Sequence, residues 1–512
     1  MLRKNEMIKI QIETKPSSKN MISKHIYGHF AEHLGRCIYD GIWVGPDSKI
    51  PNINGIRKDV VEALKNIKIP NLRWPGGCFA DRYHWKDGIG PRNLRPKTVN
   101  AHWGDVVETN YFGTHEFMET CKLLDCEPYI SGNVGSGTVK EMSEWIEYMT
   151  FDGESTMANF RRQNGRDKPW KIKYWGIGNE NWMCGGNMTA SYYTDLLLRY
   201  SAYCNDFSGS KLYKVACGPV GEITIDWVLN WVETILKKTK NRLFFKPIME
   251  GISLHYYTRA GAKPATQMST RRWYLAMKSA LYIETPILEI KKLMDTYDPM
   301  KRLGLIIDEW GTWWGVEKET NPAFLYQQNT LADALIAAIH LDIFNRHCDR
   351  VHMANIAQTV NVLQSMILTQ GEQIFLTPTY HIFDMYKHHQ DNKLLPLNVI
   401  SNDFIHEKFK LPAINGSASI DKENTLCLSL TNLNPEENYS IECEFSESKI
   451  KTAEISANIL TGETLNAHNT FESPDSVKPE IFPVSKFNKS ENRLSFEIPS
   501  KSVLFIQLTE RE

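Results

Sequence analysis

Two different spacings of hydrophobic residues divide the chain near residue 390. Before that point, short apolar runs alternate with longer segments in which apolar residues recur every three or four positions, the spacing of an amphipathic helix. These longer segments include "KDVVEALKNI" (58–67), "GTHEFMETCKLL" (113–124) and "LADALIAAIHLDIFNRH" (331–347). The alternation predicts parallel strands joined by crossover helices that cover both faces of the sheet.

The apolar runs of this first part supply eight strand candidates. They are "HIYGHF" (25–30), "IPNLRW" (69–74), "CEPYISG" (126–132), "IKYWGIG" (172–178), "YKVACG" (213–218), "GISLHYY" (251–257), "GLIIDEW" (304–310) and "RVHMANIAQ" (350–358). Eight strand–helix units over about 370 residues predict a (β/α)8 TIM barrel, here assigned to residues 18–388. An open doubly wound sheet gives the same alternation, but polar residues at the strand ends favour the barrel.

Beyond residue 390 the hydrophobic residues alternate with polar ones. The segments are "TLCLSLTNL" (425–433), "NYSIECEF" (438–445), "RLSFEIP" (493–499) and "SVLFIQLTE" (502–510). This period of two predicts antiparallel strands with one buried face, and hence a jelly-roll-like β-sandwich domain over residues 389–512. The opening "MIKIQIET" (7–14) alternates in the same way, so residues 1–17 are expected to add an edge strand to the sandwich.

Composition and charge narrow the classes of function. The 512 residues are 42% hydrophobic and carry 59 Lys plus Arg against 60 Asp plus Glu, a net charge of -1. Without a basic block, the chain is not expected to bind nucleic acid or a membrane surface, and a neutral substrate fits better. The sequence shows no apolar run of the length of a signal peptide or a membrane span, which predicts a cytoplasmic protein. Its ten cysteines include no CxxC pair and are predicted to be free thiols, with no metal site and no cofactor.

Polar residues stand at the predicted strand ends, where a barrel displays its active site. In strand order they are Glu32, Arg73, Asn133, Asn179 with Glu180, Glu222, His255 with Tyr257, Asp308 with Glu309, and Gln358. Glu180 and Glu309 each close an apolar strand and are flanked by tryptophans. Two carboxyl groups among aromatic side chains suggest glycoside hydrolysis, which needs one acid for the leaving oxygen and a second carboxylate as nucleophile or base.

Structural roles compete with these assignments. An Asn-Glu pair at a strand end is common at helix N-termini, and Glu309 could simply form an ion pair with Arg73. That ion pair is equally required in the catalytic interpretation, because a nearby cation keeps a nucleophile ionised. The segment "RWPGGCFADRYHWKDGIGPRNLRP" (73–96) is rich in Gly, Pro, Arg and Trp, which favours a rigid loop lining a pocket over a core strand.

Six motifs resemble those of the α-L-arabinofuranosidases of glycoside hydrolase family 51. They are "YGHFAEHLGRCIYDGIWVG", "RWPGGCFADRYHWKDGIGP", "VETNYFGTHEF", "WGIGNENW", "LHYYT" and "IIDEWGTWW". They occur in the family's order, and the resemblance covers residues 20–385 and, by general pattern only, the C-terminal sandwich. It implies a (β/α)8 barrel with a β-sandwich, retaining chemistry, Glu180 as acid/base and Glu309 as nucleophile.

The resemblance also implies roles for the neighbouring residues. Asn179 matches an asparagine that binds the sugar 2-hydroxyl, Arg73 an arginine that orients the nucleophile, and Tyr257 a tyrosine beside it. Glu32 and Gln358 resemble residues that hydrogen-bond the furanose hydroxyls, and Trp103 and Trp313 resemble aromatic walls of the substrate cleft. Cys78 stands where some family members carry an asparagine. A thiol is the weaker hydrogen-bond partner at that position. Gln364 lies close to Gln358 in the sequence and is the alternative match.

The expected protein is therefore a retaining, exo-acting α-L-arabinofuranosidase that releases terminal arabinofuranose from arabino- or arabinoxylo-oligosaccharides. A retaining endo-β-1,4-glucanase or xylanase with the same barrel is the alternative. A silent carbohydrate-binding protein and a lysine-dependent lyase are further alternatives, and the lyase lacks a lysine at any strand end. The resemblance implies a homo-oligomer, often a hexamer.

Overall fold

A computed structural model describes residues 7–15, 20–240, 247–401, 403–407, 409–446 and 450–509. Parts of the predicted domain ranges lie outside the described residues, namely 1–6, 16–19, 241–246, 402, 408, 447–449 and 510–512, and these include Glu510 of the last predicted strand. Within the described ranges, every helix is too short or too polar to cross a membrane.

Eight parallel strands close into a barrel in chain order, which confirms the predicted fold class. The strands span Gly28–Phe30, Asn71–Trp74, Glu127–Gly132, Tyr174–Ile177, Tyr213–Ala216, Gly251–Thr258, Gly304–Thr312 and Val351–Ala357. The open-sheet alternative fails because the eighth strand pairs with the first, with Asn355 opposite Gly28. We refer to these elements as barrel strands one to eight.

Helices surround the barrel and pack apolar faces against it. They span Lys58–Asn66, Thr114–Leu124, Val139–Thr150, Thr156–Gln163, Ala190–Tyr203, Ile225–Thr239, Thr270–Tyr282, Glu284–Tyr297, Leu331–Arg346 and Pro378–Tyr386. Several begin where a hydroxyl side chain accepts a backbone N–H of the first turn, as Thr138 does from Glu141. The apolar periodicity thus gives the barrel a continuous outer layer.

The register between barrel strands six and seven places catalytic candidates side by side. Both strands are long, and after an irregularity near Ser253 they pair His255 with Glu309 and Tyr257 with Gly311. Because the strands are parallel, their carboxyl ends reach the same rim of the barrel. The side chains that follow them therefore converge there.

Most strands of the C-terminal part form two sheets that pack face to face, and Phe404–His406 with Phe409–Leu411 form a separate two-stranded sheet. One contains Leu397–Ile400, Ile8–Ile12, Tyr439–Phe445, Arg493–Ile498 and Asn488–Lys489, and the other contains Lys393–Leu395, Ile414–Ile420, Thr425–Asn432, Ser502–Thr509, Glu454–Leu460 and Glu480–Ile481. The N-terminal strand joins the first sheet, but the expectation of an edge strand is wrong. It has neighbours on both sides, antiparallel to Leu397–Ile400 and parallel to Tyr439–Phe445.

Helix Leu331–Arg346 connects the barrel to the sandwich. It is buried on nearly every side, as its largely apolar sequence requires. Asp342 on this helix accepts hydrogen bonds from Ser417 at 2.7 Å and from Ser429 at 2.6 Å, both in the second sheet. The two domains therefore share a buried interface.

Candidate active site

A cavity of about 290 Å³ opens at the carboxyl ends of the barrel strands. Four glutamates line it, Glu32, Glu180, Glu222 and Glu309, together with aromatic side chains. A larger cavity of about 480 Å³ lies behind Cys184, and neither Glu180 nor Glu309 faces it. The carboxyl groups and the rings that sugar chemistry needs therefore belong to the smaller cavity.

Glu309, at the end of barrel strand seven, accepts hydrogen bonds through both carboxylate oxygens. The Tyr257 hydroxyl donates to Oε1 at 2.7 Å, and Arg73 Nη1 donates to Oε2 at 3.0 Å. His255 Nδ1 lies 3.5 Å from Oε2. These contacts fix the direction of the carboxylate, and the cations stabilise its negative charge.

A buried histidine connects the two catalytic candidates. His255 Nδ1 lies 3.0 Å from Oε1 of Glu180, and Nε2 lies 3.2 Å from Asp308 Oδ1. Burial opposes the charged imidazole, but Glu309, Asp308 and Glu180 together raise the pKa of His255 to about 10. Burial also works against the ionised form of Asp308, yet Arg73 and His255 lower the pKa of this carboxyl. His255 is therefore a cation held among three carboxyl groups.

Glu180 sits in a left-handed backbone conformation at the end of barrel strand four. Its φ is +40°, which costs a non-glycine residue about 1–3 kcal/mol. The surrounding turn holds it there, because its carbonyl accepts the N–H of Met183 at 2.7 Å and of Gly185 at 3.1 Å. Burial raises the pKa of Glu180, the hydrogen bond from His255 opposes the shift, and the charge of Glu309 adds to it.

Asp81 joins three of the loops around the mouth of the barrel. It lies in the loop after barrel strand two and accepts the N–H of Val134 and of Gly135, each at 2.7 Å, through Oδ1. Its Oδ2 accepts the N–H of Asn179 at 2.9 Å. One buried carboxylate thus orients the residue that precedes Glu180.

The prediction of free thiols is wrong for two of the ten cysteines. Cys78 and Cys184 form a disulfide, with 5.5 Å between their Cα atoms and a sequence separation of 106. Closure of the barrel brings the loops after strands two and four together, which no local spacing signals. The Cys184 sulfur lies 3.5 Å from Oε2 of Glu180 and the Cys78 sulfur 3.9 Å from it. The sulfur of Cys78 therefore faces the cavity without a thiol proton to donate.

We expect Cys184→Ser to lower the free energy of unfolding by about 2–4 kcal/mol, because the link closes a long loop in the unfolded chain. Dithiothreitol should lower the thermal midpoint of the wild-type protein and leave that of Cys184→Ser unchanged. Scanning calorimetry with and without the reductant measures both. Equal midpoints for reduced and oxidised wild-type protein would contradict the prediction.

Glu32 anchors the opposite wall of the cavity. Its Oε1 accepts the N–H of Phe79 at 2.9 Å and the indole N–H of Trp103 at 3.0 Å. Its Oε2 accepts from Gln358 Nε2 at 3.0 Å, and Gln358 Oε1 in turn accepts the N–H of Glu32 at 3.2 Å. Burial, followed by the charge of Glu309, raises the pKa of Glu32 to about 7.

Asn179 and Arg73 lie beneath the cavity floor. Arg73 Nη2 donates to Asn179 Oδ1 at 2.5 Å, while Arg73 Nε donates to Ser131 at 3.2 Å. Within the described part of the chain, the buried Asn179 Nδ2 has no hydrogen-bond partner. One amide donor is thus left available at this point.

The structure gathers all ten predicted site residues around one cavity. Eight line it: Glu32, Cys78, Trp103, Glu180, Tyr257, Glu309, Trp313 and Gln358. The alternative Gln364 instead donates to the backbone of Asp333 at 2.7 Å, away from the cavity. His255, Asp308 and Asp81 complete the site and had been given no role. The first two are strand-end residues and could have been chosen, whereas nothing in the local sequence marks Asp81.

Among the residues that the structure describes, two groups of side chains are close enough to hold a metal ion. The possible ligand atoms of Glu180, His255 and Glu309 lie within 4.8 Å of one another, and so do those of Cys78, Glu180 and Cys184. The sulfurs of the second group are joined in a disulfide and lack the thiolate charge that a metal binds. In the first group, both ring nitrogens of His255 already contact carboxyl groups, Nδ1 that of Glu180 at 3.0 Å and Nε2 that of Asp308 at 3.2 Å.

A (β/α)8 barrel with two glutamates facing each other at the ends of strands four and seven is the architecture of a glycoside hydrolase. Two family domains match the chain, "Alpha-L-arabinofuranosidase 1 domain" over residues 63–241 and "Alpha-L-arabinofuranosidase C-terminal domain" over residues 308–502. An "Intracellular exo-alpha-L-arabinofuranosidase" of Bacteroides ovatus is 48% identical over 96% of this chain and 93% of its own length.

Solved structures agree with these matches. The GH51 arabinofuranosidase of Xanthomonas axonopodis pv. citri is 41% identical, has a TM-score of 0.93, and is matched over 98% of this chain and 100% of that one. An α-L-arabinofuranosidase from Thermotoga maritima, in complex with arabinose, is 30% identical with a TM-score of 0.84, over 98% and 99% of the two chains. The chain therefore belongs to the α-L-arabinofuranosidases of glycoside hydrolase family 51, and the predicted family is confirmed.

Proposed function

We propose that this enzyme releases terminal arabinofuranose from arabino- or arabinoxylo-oligosaccharides by double displacement with retention of configuration. The observation that carries the proposal is the proximity of Glu180 and Glu309, whose facing carboxyl oxygens lie within 4.8 Å of each other. Retaining glycosidases place their carboxyl groups about 5–5.5 Å apart, whereas inverting enzymes leave about 6.5–9.5 Å for a water molecule. Carboxyl oxygens this close leave no space for a water molecule in line between them, which favours direct attack by one carboxylate.

In the first step, the Glu309 carboxylate attacks the anomeric carbon while the bond to the leaving oxygen breaks. Glu180 gives its proton to that oxygen. Arg73 and Tyr257 hold Glu309 by hydrogen bonds at 3.0 Å and 2.7 Å, so the nucleophile needs little reorientation. The products of this step are the free leaving group and an arabinosyl ester of Glu309.

In the second step, Glu180 takes a proton from water, and the resulting oxygen nucleophile attacks the anomeric carbon and releases Glu309. Burial and the charge of Glu309 raise the pKa of Glu180 in the free enzyme, with His255 opposing them. Esterification removes the charge of Glu309, so the pKa of Glu180 falls and the group can act as a base. The same carboxyl group thus serves both steps.

The furanose ring is proposed to bind against the wall formed by Glu32 and Gln358. The unpartnered Nδ2 of Asn179 supports a contact with the sugar 2-hydroxyl, which strengthens in the transition state. Trp103, fixed by its hydrogen bond to Glu32, and Trp313 would provide apolar faces for the ring. Cys78 would contribute only van der Waals contact through its disulfide sulfur.

The alternative activities receive less support. The relatives described above are arabinofuranosidases, and a cavity of about 290 Å³ suits a terminal residue better than the groove of an endo-glucanase or xylanase. An intracellular location is proposed by similarity to the Bacteroides ovatus enzyme, whose name states it. Assembly into a homo-oligomer, with a hexamer as the expected form, stays a prediction.

An activity screen tests the proposed function. We expect hydrolysis of 4-nitrophenyl α-L-arabinofuranoside and at least about 10²-fold lower kcat/KM on the β-xyloside and the β-glucoside, because a furanose-shaped site rejects a pyranose. Proton NMR during the reaction should show α-arabinofuranose as the first product. A β-anomer would contradict the double displacement, and preference for a pyranoside would contradict the substrate class.

A further inference from the structure

One of the four carboxyl groups in the cavity has no role in the scheme above. Glu32 is engaged by Phe79, Trp103 and Gln358, while Glu180 and Glu309 share His255 and its neighbours. The fourth, Glu222, follows barrel strand five. Its Oε1 accepts the N–H of Tyr257 at 2.9 Å, and within the described residues its buried Oε2 has no hydrogen-bond partner.

The position of Glu222 in the barrel separates it from the furanose wall. Glu180 and Glu309 end strands four and seven, so a line between them divides the mouth of the barrel. Glu32 and Gln358 lie on the side of strands eight and one. Glu222 lies on the other side, after strand five, where the described cavity wall also contains Val220, Ile223 and Arg259. With the furanose ring against Glu32 and Gln358, as proposed above, a substrate bridging the two catalytic groups would extend its leaving group toward this side.

Trp182 offers an aromatic surface for a second sugar on the same side, next to the wall that Arg259 forms with Trp313. The guanidinium of Arg259 lies 4.3 Å from the centroid of the Trp313 ring, which also packs edge-on against Tyr257 at 5.0 Å. Trp182 is fixed by its indole N–H, which donates to the carbonyl of Gly218 at 3.1 Å. Arg259 also lies 3.9 Å from Oε1 of Glu222, so a charge pair sits at the rim.

The geometry points to Glu222 as a specificity residue that accepts a hydrogen bond from a hydroxyl group of the sugar next to the cleaved bond. This inference rests on the proposed function. It extends that function by naming the chemical group, a sugar hydroxyl, that the leaving-group side of the cavity binds. The side chain is 22% exposed, so the carboxylate borders the cavity while Tyr257 holds one oxygen in place. Burial raises the pKa of Glu222 to about 7, while the N–H of Tyr257 and the charge of Arg259 oppose the shift.

Glu222→Gln tests the inference, because the amide oxygen still accepts the N–H of Tyr257 while the negative charge toward the sugar is lost. Two substrates are compared: arabinotriose, whose leaving group is a sugar, and 4-nitrophenyl α-L-arabinofuranoside, whose leaving group has no hydroxyl. We expect the ratio of their kcat/KM values, arabinotriose over aryl glycoside, to fall about tenfold in the variant. Hydrogen bonds to charged groups are stronger than neutral ones by about this factor.

Glu317→Gln is the matched control. Glu317 is a half-buried glutamate in the loop after barrel strand seven, accepts the N–H of Gln328 at 3.2 Å, and does not line the described cavity. The ratio should be unchanged in this variant. An unchanged ratio in Glu222→Gln would overturn the inference, whether both rates fall together or neither falls. Failure of the proposed function looks different, because wild-type enzyme would then not cleave the aryl arabinofuranoside at all, and that result overturns both.

Discussion

Replacing Glu309 with glutamine is expected to lower kcat on an aryl α-L-arabinofuranoside by about 10⁴-fold or more. An amide cannot form the glycosyl ester, and a loss of this size corresponds to about 5 kcal/mol of transition-state stabilisation. Glutamine still offers an oxygen to Arg73 or Tyr257, so the fold should persist. Initial rates and the thermal midpoint of the same preparation separate lost chemistry from lost structure.

Covalent labelling identifies the nucleophile directly. A mechanism-based furanosyl inhibitor should add one sugar to the wild-type protein, and peptide mass spectrometry should place it on Glu309. Glu309→Gln should take up no label, while Glu317→Gln, with the same chemical change outside the cavity, should be labelled like wild type. Label on any other residue would refute the assignment of Glu309.

The positions of the two catalytic candidates could be predicted because a parallel barrel forces strand ends into one ring. Glu180 and Glu309 each follow an apolar run, and the closed sheet leaves such a residue only the rim to occupy. The eight runs were recognisable because strands buried on both faces are continuously apolar. The first was predicted too long. Its first residues belong to a short 3-10 helix, Lys24–Tyr27. Ser23 precedes this helix, and its hydroxyl accepts the N–H of His25 at 3.3 Å.

Contacts between distant loops could not be predicted in the same way. The Cys78–Cys184 disulfide and the three hydrogen bonds to Asp81 each depend on where the loops of neighbouring strands meet. Neither the disulfide nor these hydrogen bonds produce a local sequence pattern, because hydrophobic periodicity indicates which residues are buried and not which residues they contact. The left-handed backbone of Glu180 is likewise imposed by the turn that follows it. The sequence therefore indicated which residues reach the site, while the hydrogen bonds that orient them emerged only from the fold.

Glu180→Ala is expected to lower kcat/KM on arabinotriose by about 10²–10⁴-fold, the contribution of a general acid. The loss should be smaller on an aryl glycoside whose leaving group departs without protonation. Sodium azide should restore part of the aryl rate, because the anion fits the space left by the carboxyl group and needs no base to attack the arabinosyl ester. The product should be α-arabinofuranosyl azide. Full activity of Glu180→Ala on arabinotriose would rule out the acid/base role.

The pH profile gives the same assignment by a second route. Glu180 must be protonated for the first step, so kcat/KM should fall as the pH rises through the pKa of Glu180. Burial and the charge of Glu309 raise this pKa above its ordinary value, and the contact with His255 opposes the shift. This alkaline limb should disappear in Glu180→Ala. An alkaline limb identical in both enzymes would therefore assign the essential proton to a group other than Glu180.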